Sequence, residues 1–283
     1  MRRDFPLGAA PALVERAHAW LDQRSAPVAT GPEPVAPKAA ATVLLVRDGQ
    51  HGVEVFMLRR VATMAFAPEM MVFPGGGVDA RDADPALPWA GPSPARWGEL
   101  LGADEATARE LVAAAVREVF EECGVLLAGP DAGSVVGDVS GAEWQADRAA
   151  LVSREVSLAQ LLIRRGLVLR SDLLSARAHW ITPEFERRRY DTRFFAALLP
   201  EGQVADDRTS EADHADWVDP TRLLQDYHRG EALMLPPTVV CVEEVAAARS
   251  ADEFLREEAP IAPVLPVLAP TEEGVVIRCE LPV

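Results

Sequence analysis

Residues 117–125, with the sequence Arg-Glu-Val-Phe-Glu-Glu-Cys-Gly-Val, constrain this chain of 283 residues more than any other stretch. Residues three and four apart share a helix face, so the side chains of Glu118, Glu121 and Glu122 point the same way. Carboxylates gathered so closely repel one another when unpaired, but they suit a hard divalent cation bound through oxygen. Gly124 suits the left-handed position that ends a helix. The run therefore predicts a helix that binds Mg²⁺ or Mn²⁺.

A glycine turn lies upstream, at residues 75–77. The apolar run 70–73 predicts a strand that leads into this turn, and glycine lets backbone approach a ligand closely. Gly75 and Gly76 are therefore candidate substrate-binding residues. Taken alone, such a triplet is typical of an ordinary turn, and a glutamate run is typical of a solvated helix face. Their occurrence together favours a functional site.

Together the two segments resemble the Nudix box, the signature of the Nudix hydrolases. The pattern is a glycine, then a glutamate, then Arg-Glu-hydrophobic-x-Glu-Glu-x-Gly-hydrophobic. Residues 117–125 match its second half at every position. The resemblance implies that Glu118, Glu121 and Glu122 hold the metal and that Arg117 orients them through salt bridges.

The first half of the box is interrupted. Gly76 and Arg117 stand 41 positions apart, 27 more than in the compact pattern. Counted from Gly76, the missing glutamate falls at Asp82, whereas counted back from Arg117 it falls at Arg109. The candidates for replacing it are Asp82, Glu105 and Glu110.

The order of predicted elements favours an α/β (α+β) fold, and the resemblance implies the Nudix fold, a mixed β-sheet sandwiched between helices. We predict an N-terminal helix and proline-rich linker over residues 1–38. A Nudix hydrolase domain follows over residues 39–283, with an insert inside the Nudix box near residues 80–105. The prolines and tryptophans of this insert predict an irregular segment that covers the site.

Apolar periodicity places helices at residues 9–24, 107–123, 142–165 and 236–245. Apolar, β-branched runs predict strands at residues 41–47, 53–58, 70–73, 176–181, 193–199, 215–218 and 275–281. Residues 48–52 predict the turn of a hairpin between the first two of these strands.

The charge balance limits the class of partner. The net charge of −16 argues against nucleic acid and anionic membranes as partners, because both favour a basic surface. We expect a small nucleotide-type substrate whose phosphates meet local arginines or metal ions, and a homodimer is compatible with the sequence. Three widely spaced cysteines indicate neither a disulfide framework nor a zinc site. The N-terminal residues lack the continuous apolar region of a signal peptide, so we expect a cytoplasmic location.

Two further segments contain candidate site residues. Arg187, Arg188 and Arg189 precede an apolar strand, and the planar fork of arginine matches phosphate oxygens. A solvated charged loop is the alternative interpretation. Glu211 lies in a loop just before the strand of Trp217, and in several Nudix enzymes a glutamate from a comparable loop helps with metal binding or proton removal. An ordinary surface carboxylate is the alternative there.

The resemblance implies cleavage of a diphosphate linked to another group, usually a nucleoside. Arg117, Glu121 and Glu211 are the catalytic candidates, and either Glu121 or Glu211 takes the proton from water. The insert and residues 117–127 resemble the coenzyme A diphosphatase branch that includes human nudix hydrolase nineteen. This implies coenzyme A or acyl-CoA as substrate, with residues 187–189 as partners of its 3′-phosphate. An NADH or ADP-ribose pyrophosphatase and a non-catalytic nucleotide-binding module are the alternatives.

Overall fold

The computed structural model describes residues 1–7, 11–24, 33–61, 69–209, 212–256, 261–272 and 274–282. The helices are α1 (Pro11–Arg24), α2 (Pro94–Leu101), α3 (Glu105–Cys123), α4 (Ala142–Val152), α5 (Leu158–Arg165), α6 (Pro220–His228), α7 (Pro236–Ala247) and α8 (Ala251–Arg256). The strands are β1 (Arg2–Pro6), β2 (Lys38–Asp48), β3 (Val53–Arg60), β4 (Met71–Val72), β5 (Gly75–Gly77), β6 (Trp89–Ala90), β7 (Ala128–Gly129), β8 (Val168–Arg170), β9 (Leu174–Ile181), β10 (Tyr190–Leu198), β11 (Ala212–Val218), β12 (Pro263–Val264), β13 (Val267–Thr271) and β14 (Gly274–Glu280). Short 3-10 turns occur at Ala80–Ala83 and Ser171–Leu173. None of the described helices is both long and apolar enough to span a membrane.

The centre of the fold is a mixed sheet with the strand order β11-β3-β2-β10-β9-β12, in which β4 also pairs with β3 and β5 with β2. Strand β2 is parallel to β10 and antiparallel to β3 and β5. Val43, Leu44, Leu45 and Val46 of β2 are all fully buried. Because successive side chains of a strand point to opposite faces, burial of all four requires cover on both sides of the sheet.

Helices supply that cover on each face. Val43 and Leu45 share a core with apolar residues of α2, α3, α4 and α5. Leu44 and Val46 belong to a second core, with residues of α6, α7 and α8. The predicted fold class, a mixed sheet between helices, is confirmed.

Most predicted elements lie close to their expected bounds. Helix α3 begins two residues earlier than predicted and ends at the predicted Cys123. The predicted hairpin is β2–β3, in which Val46 faces Val55. The helical stretch 142–165 is two helices, α4 and α5. The sequence patterns do not predict β1, α6 or α8.

The segment between the two halves of the box is folded rather than irregular. It contains β6, which pairs with β8, and α2, which packs on α3. Ser93 caps α2 by accepting a hydrogen bond from the Arg96 N–H. Trp97 is 1% exposed and meets the ring of Phe195 edge-on, with the centroids 5.7 Å apart. The expectation of an irregular cover is therefore wrong for Pro94–Leu101, because Trp97 and Leu101, one turn apart, give that helix a buried face.

The N-terminal segment contacts the rest of the chain at several points. Strand β1 pairs antiparallel with β14, and Phe5 and Ala17 belong to the second core. Arg16 of α1 donates a hydrogen bond to Glu186 at 3.0 Å. Strand β1 finds its partner at the far end of the sequence, so local patterns give no signal for it.

Candidate active site

Helix α3 supports the cluster of glutamates and is defined at both ends. At its N-terminus the side chain of Asp104 accepts from the Thr107 N–H at 2.9 Å. At its C-terminus Gly124 has φ 70° and ψ 16°, and its N–H donates to Phe120 O. The residue that ends the helix therefore adopts the left-handed conformation predicted for it.

Arg117 organises the site from within. It is 4% exposed. Its Nε and Nη2 donate to the two carboxylate oxygens of Asp82, each at 2.9 Å. Nη1 donates to Glu118 at 2.6 Å and to Glu121 at 3.3 Å, and Nη2 also donates to Gly77 O at 2.9 Å. All three nitrogens of the guanidinium group therefore donate to acceptors of the chain. Burial lowers the pKa of Arg117, but the carboxylates of Asp82, Glu118 and Glu121 outweigh it and raise the pKa above its usual value.

Of the three candidates for the missing glutamate of the box, Asp82 is the one that contacts Arg117 within the described residues. It is 2% exposed and forms the two-point contact with Arg117. A reciprocal capping pair with Asp79 fixes it, since the Asp79 N–H donates to Asp82 Oδ2 at 2.8 Å. Glu105 is exposed in the first turn of α3, roughly 18 Å along the axis from Arg117. Counting forward from Gly76 gives the residue that contacts Arg117.

Arg109, the residue reached by counting back from Arg117, contacts the insert. Its Nη2 donates to the carbonyls of Asp84 and Leu87 at 2.9 and 3.3 Å. It thereby attaches the start of the insert to α3.

The glycine turn lies directly against the carboxylates. The Gly75 N–H donates to Glu122 Oε2 at 2.8 Å. A Cβ atom at Gly76 would lie 2.5 Å from Glu118 Oε1, so a side chain there would displace this carboxylate. The turn and the helix are therefore in contact, and the observed partners of Gly75 and Gly76 are glutamates. Substrate binding by these two glycines stays a prediction.

Burial makes two of the carboxylates hard to ionise. It raises the pKa of Glu118 to about 7, against the opposing effect of Arg117, and Glu121 raises it further. Burial also raises the pKa of Glu121, again opposed by Arg117. The Oε1 atom of Glu121 is buried and has no hydrogen-bond partner among the described residues. Such an atom needs a partner, and a cation would supply one.

The donor set suits Mg²⁺ or Mn²⁺, because it consists of hard carboxylate oxygens on one helix face. Within the described residues, however, no group of three or more His, Cys, Asp and Glu side chains is arranged to hold a metal ion as it stands. Arg117 bonds one oxygen each of Glu118 and Glu121. The second oxygen of each carboxylate, including the unpartnered Glu121 Oε1, is not bonded to Arg117.

The arginine run of residues 187–189 is split by its surroundings. Arg187 and Arg188 are exposed, whereas Arg189 is 8% exposed. Arg189 donates to the carbonyls of Thr182 and Val35 at 2.9 and 2.7 Å. Arg189 therefore attaches the linker to this loop, while its two neighbours face solvent. Glu211 lies outside the described residues.

The sheet register relates the arginine run to the glycine turn. Ala40 of β2 lies between Gly77 on one side and Thr192 on the other. Arg188 lies in a bend just before β10, whose first residue Tyr190 pairs with Lys38 at the start of β2. The two segments lie at the same end of the sheet.

Comparisons with known proteins identify the family of this chain. The family model of the NUDT19 Nudix domain matches residues 98–245, more than half of the chain. The chain belongs to this Nudix family. The crystal structure of the NUDIX hydrolase from Alicyclobacillus acidocaldarius superposes on this chain with a TM-score of 0.69. It shares 26% identity, and the match covers 80% of this chain and 98% of that one.

Two curated Nudix relatives are longer than this chain. The protein is 28% identical over 202 residues to Caenorhabditis elegans nudix hydrolase 7. This match covers 71% of this chain and 58% of that protein. The chain is 24% identical over 221 residues to the acyl-coenzyme A diphosphatase NUDT19 of Xenopus laevis, covering 65% of this chain and 57% of that one. The chain thus spans little more than half the length of these relatives.

The Nudix site includes residues that sequence reasoning left open or missed. Asp82 was one of three candidates, and the spacing from Gly76 was its only signal. The sequence does contain a signal for Asp79, which orients Asp82, because the two residues have the i, i+3 spacing of a capping box. Arg148, which contacts the end of α3, has no local signal at all.

Proposed function

We propose that the protein is a metal-dependent hydrolase that cleaves the diphosphate bond of a nucleoside-diphosphate-linked substrate, with coenzyme A or an acyl-CoA as the favoured substrate class. The observation that carries this proposal is the Arg117 network. One buried guanidinium group holds Asp82, Glu118 and Glu121 at the glycine turn, as a Nudix active site requires.

Glu118, Glu121 and Glu122 would hold Mg²⁺ or Mn²⁺. When bound, such an ion would neutralise the diphosphate and lower the pKa of a water molecule. Arg117 fixes the directions of Glu118 and Glu121, and the Gly75 N–H does the same for Glu122. Preorganised charges of this kind avoid reorganisation during the reaction.

A carboxylate must accept the proton of the attacking water. Glu121 Oε1 is a suitable acceptor, because it is buried, has no partner among the described residues and belongs to a carboxyl group whose pKa is raised. Glu211 is the second candidate for this role.

The exposed arginines support a substrate with an additional phosphate. Their neighbours Glu186 and Arg189 are each only 8% exposed, whereas Arg187 and Arg188 are exposed and bond to none of the described residues. They lie at the same end of the sheet as the glycine turn, and a phosphate would satisfy their forked donors. The 3′-phosphate of coenzyme A is such a group, and the Xenopus laevis relative is an acyl-coenzyme A diphosphatase. The expected products are 4′-phosphopantetheine and 3′,5′-ADP.

Two other functions compete with this proposal. An NADH or ADP-ribose pyrophosphatase would use the same metal site but would not need Arg187 and Arg188. A non-catalytic nucleotide-binding module would not need the metal-binding carboxylates, and this chain keeps Glu118, Glu121 and Glu122. We further propose a cytoplasmic location and a nucleotide-type substrate rather than nucleic acid, in line with the net charge of −16.

The test is a direct comparison of substrates. Coenzyme A, dephospho-coenzyme A, NADH and ADP-ribose are incubated with the full chain and Mg²⁺ or Mn²⁺, and products are separated by liquid chromatography. We expect the highest kcat/KM for coenzyme A and no turnover in EDTA. A kcat/KM for NADH or ADP-ribose above that for coenzyme A would favour the pyrophosphatase, and turnover that persists in EDTA would refute the metal dependence.

A further inference from the structure

The last turn of α3 is held from outside by one buried arginine and one aspartate. Arg148 of α4 donates from Nε to Glu121 O at 2.9 Å and from Nη1 to Asp206 Oδ1 at 2.6 Å. The N–H of Asp206 in turn donates to Cys123 O at 2.9 Å. We call this pair the Arg148–Asp206 clamp. It closes a ring of contacts around the turn that carries Glu121 and Glu122.

The clamp satisfies carbonyl groups that a helix end leaves without partners. The last four carbonyls of a helix have no intrahelical donor. Here Glu121 O is bonded by Arg148, Cys123 O by Asp206 and Phe120 O by the Gly124 N–H. A positive side chain at a helix C-terminus is also favoured by the helix dipole.

Gly124 makes room for the clamp. A Cβ atom at this position would lie 3.0 Å from Arg148 Nη1 and 3.2 Å from Asp206 Oδ2. The final glycine of the motif thus serves two purposes: it adopts the positive φ that ends the helix, and it lets the clamp cross the backbone closely.

Both partners of the clamp are themselves held in place. Trp144, one turn before Arg148 on α4, packs edge-on against Phe120 of α3 with the ring centroids 6.4 Å apart. Gln203, in the loop of Asp206, pairs its side-chain amide with both the N–H and the C=O of Leu126, at 2.8 and 3.0 Å. Helix α4 and the loop after β10 therefore fix the clamp from two sides.

Burial shows that the contact is more than a surface ion pair. Arg148 is 3% exposed, and its Nη2 has no hydrogen-bond partner within the described part of the chain. Burying a guanidinium group with an unused donor is costly. Ordinary capping of a helix end does not need this arrangement, because a solvated lysine or water can bond the same carbonyls.

We propose that the Arg148–Asp206 clamp positions the metal site, with Arg148 as a positioning residue that fixes the last turn of α3 and thereby the side chains of Glu121 and Glu122. Groups that orient metal ligands without touching the metal typically change metal affinity 10- to 100-fold when removed. The proposal rests on the metal-dependent hydrolysis proposed above, and it assigns a role to a residue outside the Nudix box.

The test measures Mn²⁺ binding to the full chain by titration calorimetry without substrate, so that its readout is independent of turnover. Arg148→Met should weaken Mn²⁺ binding by about 10- to 100-fold and lower kcat more than it changes KM. Arg148→Lys should give an intermediate Kd, because lysine keeps the charge but loses the fork that holds two acceptors. Asp206→Asn keeps the backbone N–H to Cys123 and should give the smallest shift.

Arg170→Met is the matched control. Arg170 is 6% exposed, pairs with Asp172 at 2.6 Å and donates to Ser134 O at 2.5 Å. It is therefore buried and bonded like Arg148, but its side chain donates no hydrogen bond to the described residues of α3. Its loss should lower the melting temperature and leave the Mn²⁺ Kd within about twofold of wild type.

Two results would overturn the positioning role. The first is a Mn²⁺ Kd within about twofold of wild type in both Arg148→Lys and Asp206→Asn, each shown to be folded. These two variants test the proposal even if Arg148→Met does not fold. The second is an equal loss of Mn²⁺ affinity in Arg170→Met, which would mark the effect as general destabilisation. A wild-type chain that binds no Mn²⁺ would refute the proposed function together with this inference, whereas normal binding by both clamp variants refutes the inference alone.

Discussion

Arginine side chains in two regions of the molecule differ in burial and in bonding. Arg117 is buried, and each of its nitrogens donates to a carboxylate or a carbonyl of the chain. Arg187 and Arg188 are exposed, and neither bonds to a described residue. The first region holds the site together, and the second leaves its charge available for a ligand.

The two regions differ in the free energy needed to change the bonding partners of each arginine. Removing Arg117 would leave Asp82 and Glu118 buried without a counter-charge, which is strongly unfavourable. Exposed guanidinium groups exchange water for phosphate with little loss, since water already satisfies their donors. Arg189 belongs with Arg117 rather than with its sequence neighbours, because its donors are bonded to the carbonyls of Thr182 and Val35.

The largest effect we expect is on stability. Arg117→Met should destabilise the protein by about 3–5 kcal/mol, because it leaves buried carboxylates unpaired. Thermal unfolding measures this, with Arg109→Met as a control on the same helix, since Arg109 donates only to carbonyls. A loss no greater than that of the control would show that the Arg117 network is not a structural element.

The next effect is on turnover. Glu121→Gln and Glu122→Gln should each lower kcat by about 100-fold or more, the size seen when a preorganised electrostatic group is lost. The fold should stay intact, because removing a carboxylate relieves repulsion in the cluster. Steady-state kinetics measure the effect, and Glu105→Gln, exposed on the same helix, should be neutral. Normal turnover in both cluster variants would refute the metal site.

A smaller effect should separate the exposed arginines from the buried ones. Replacing both Arg187 and Arg188 by alanine should raise KM for coenzyme A about tenfold, as expected for lost charged hydrogen bonds to a phosphate. KM for dephospho-coenzyme A, which lacks the 3′-phosphate, should not change. Arg189→Ala should instead lower the melting temperature. An equal rise in KM for both substrates would remove the arginines from 3′-phosphate recognition.

The smallest effect is a pH dependence of stability. Burial raises the pKa of Glu118 from 4.5, the value for an exposed carboxyl group as in the unfolded chain, to about 7 in the folded chain. Between pH 4.5 and 7 the folded protein therefore binds more protons than the unfolded one. Stability of the metal-free protein should therefore fall as pH rises from about 5 to 8. Calorimetry in EDTA measures this slope, and Glu118→Gln should flatten it. An unchanged slope in that variant would assign the effect to other groups.

The sequence predicts α3 and its terminating glycine, because helix periodicity and a glycine at the helix end are local signals. It does not decide between Asp82, Glu105 and Glu110, since the insertion breaks the count and the contact of Asp82 with Arg117 depends on the tertiary fold. Three consecutive arginines look alike in a sequence, and only backbone acceptors distant in the chain distinguish Arg189 from the other two. Arg148 and β1 depend entirely on tertiary partners, so no pattern of neighbours could predict them.

The insertion between Gly76 and Arg117 also has a consequence for the entropy of the chain. A flexible loop lengthened from 14 to 41 residues would cost only about 1 kcal/mol more to close, because that free energy grows as the logarithm of the length. This segment is folded, so the entropy lost in ordering its backbone adds about 1–2 kcal/mol for each residue. Burial of side chains such as Trp97 and Leu101 opposes that cost. A long folded insertion within such a motif must therefore supply a core of its own, and here α2 contributes to it.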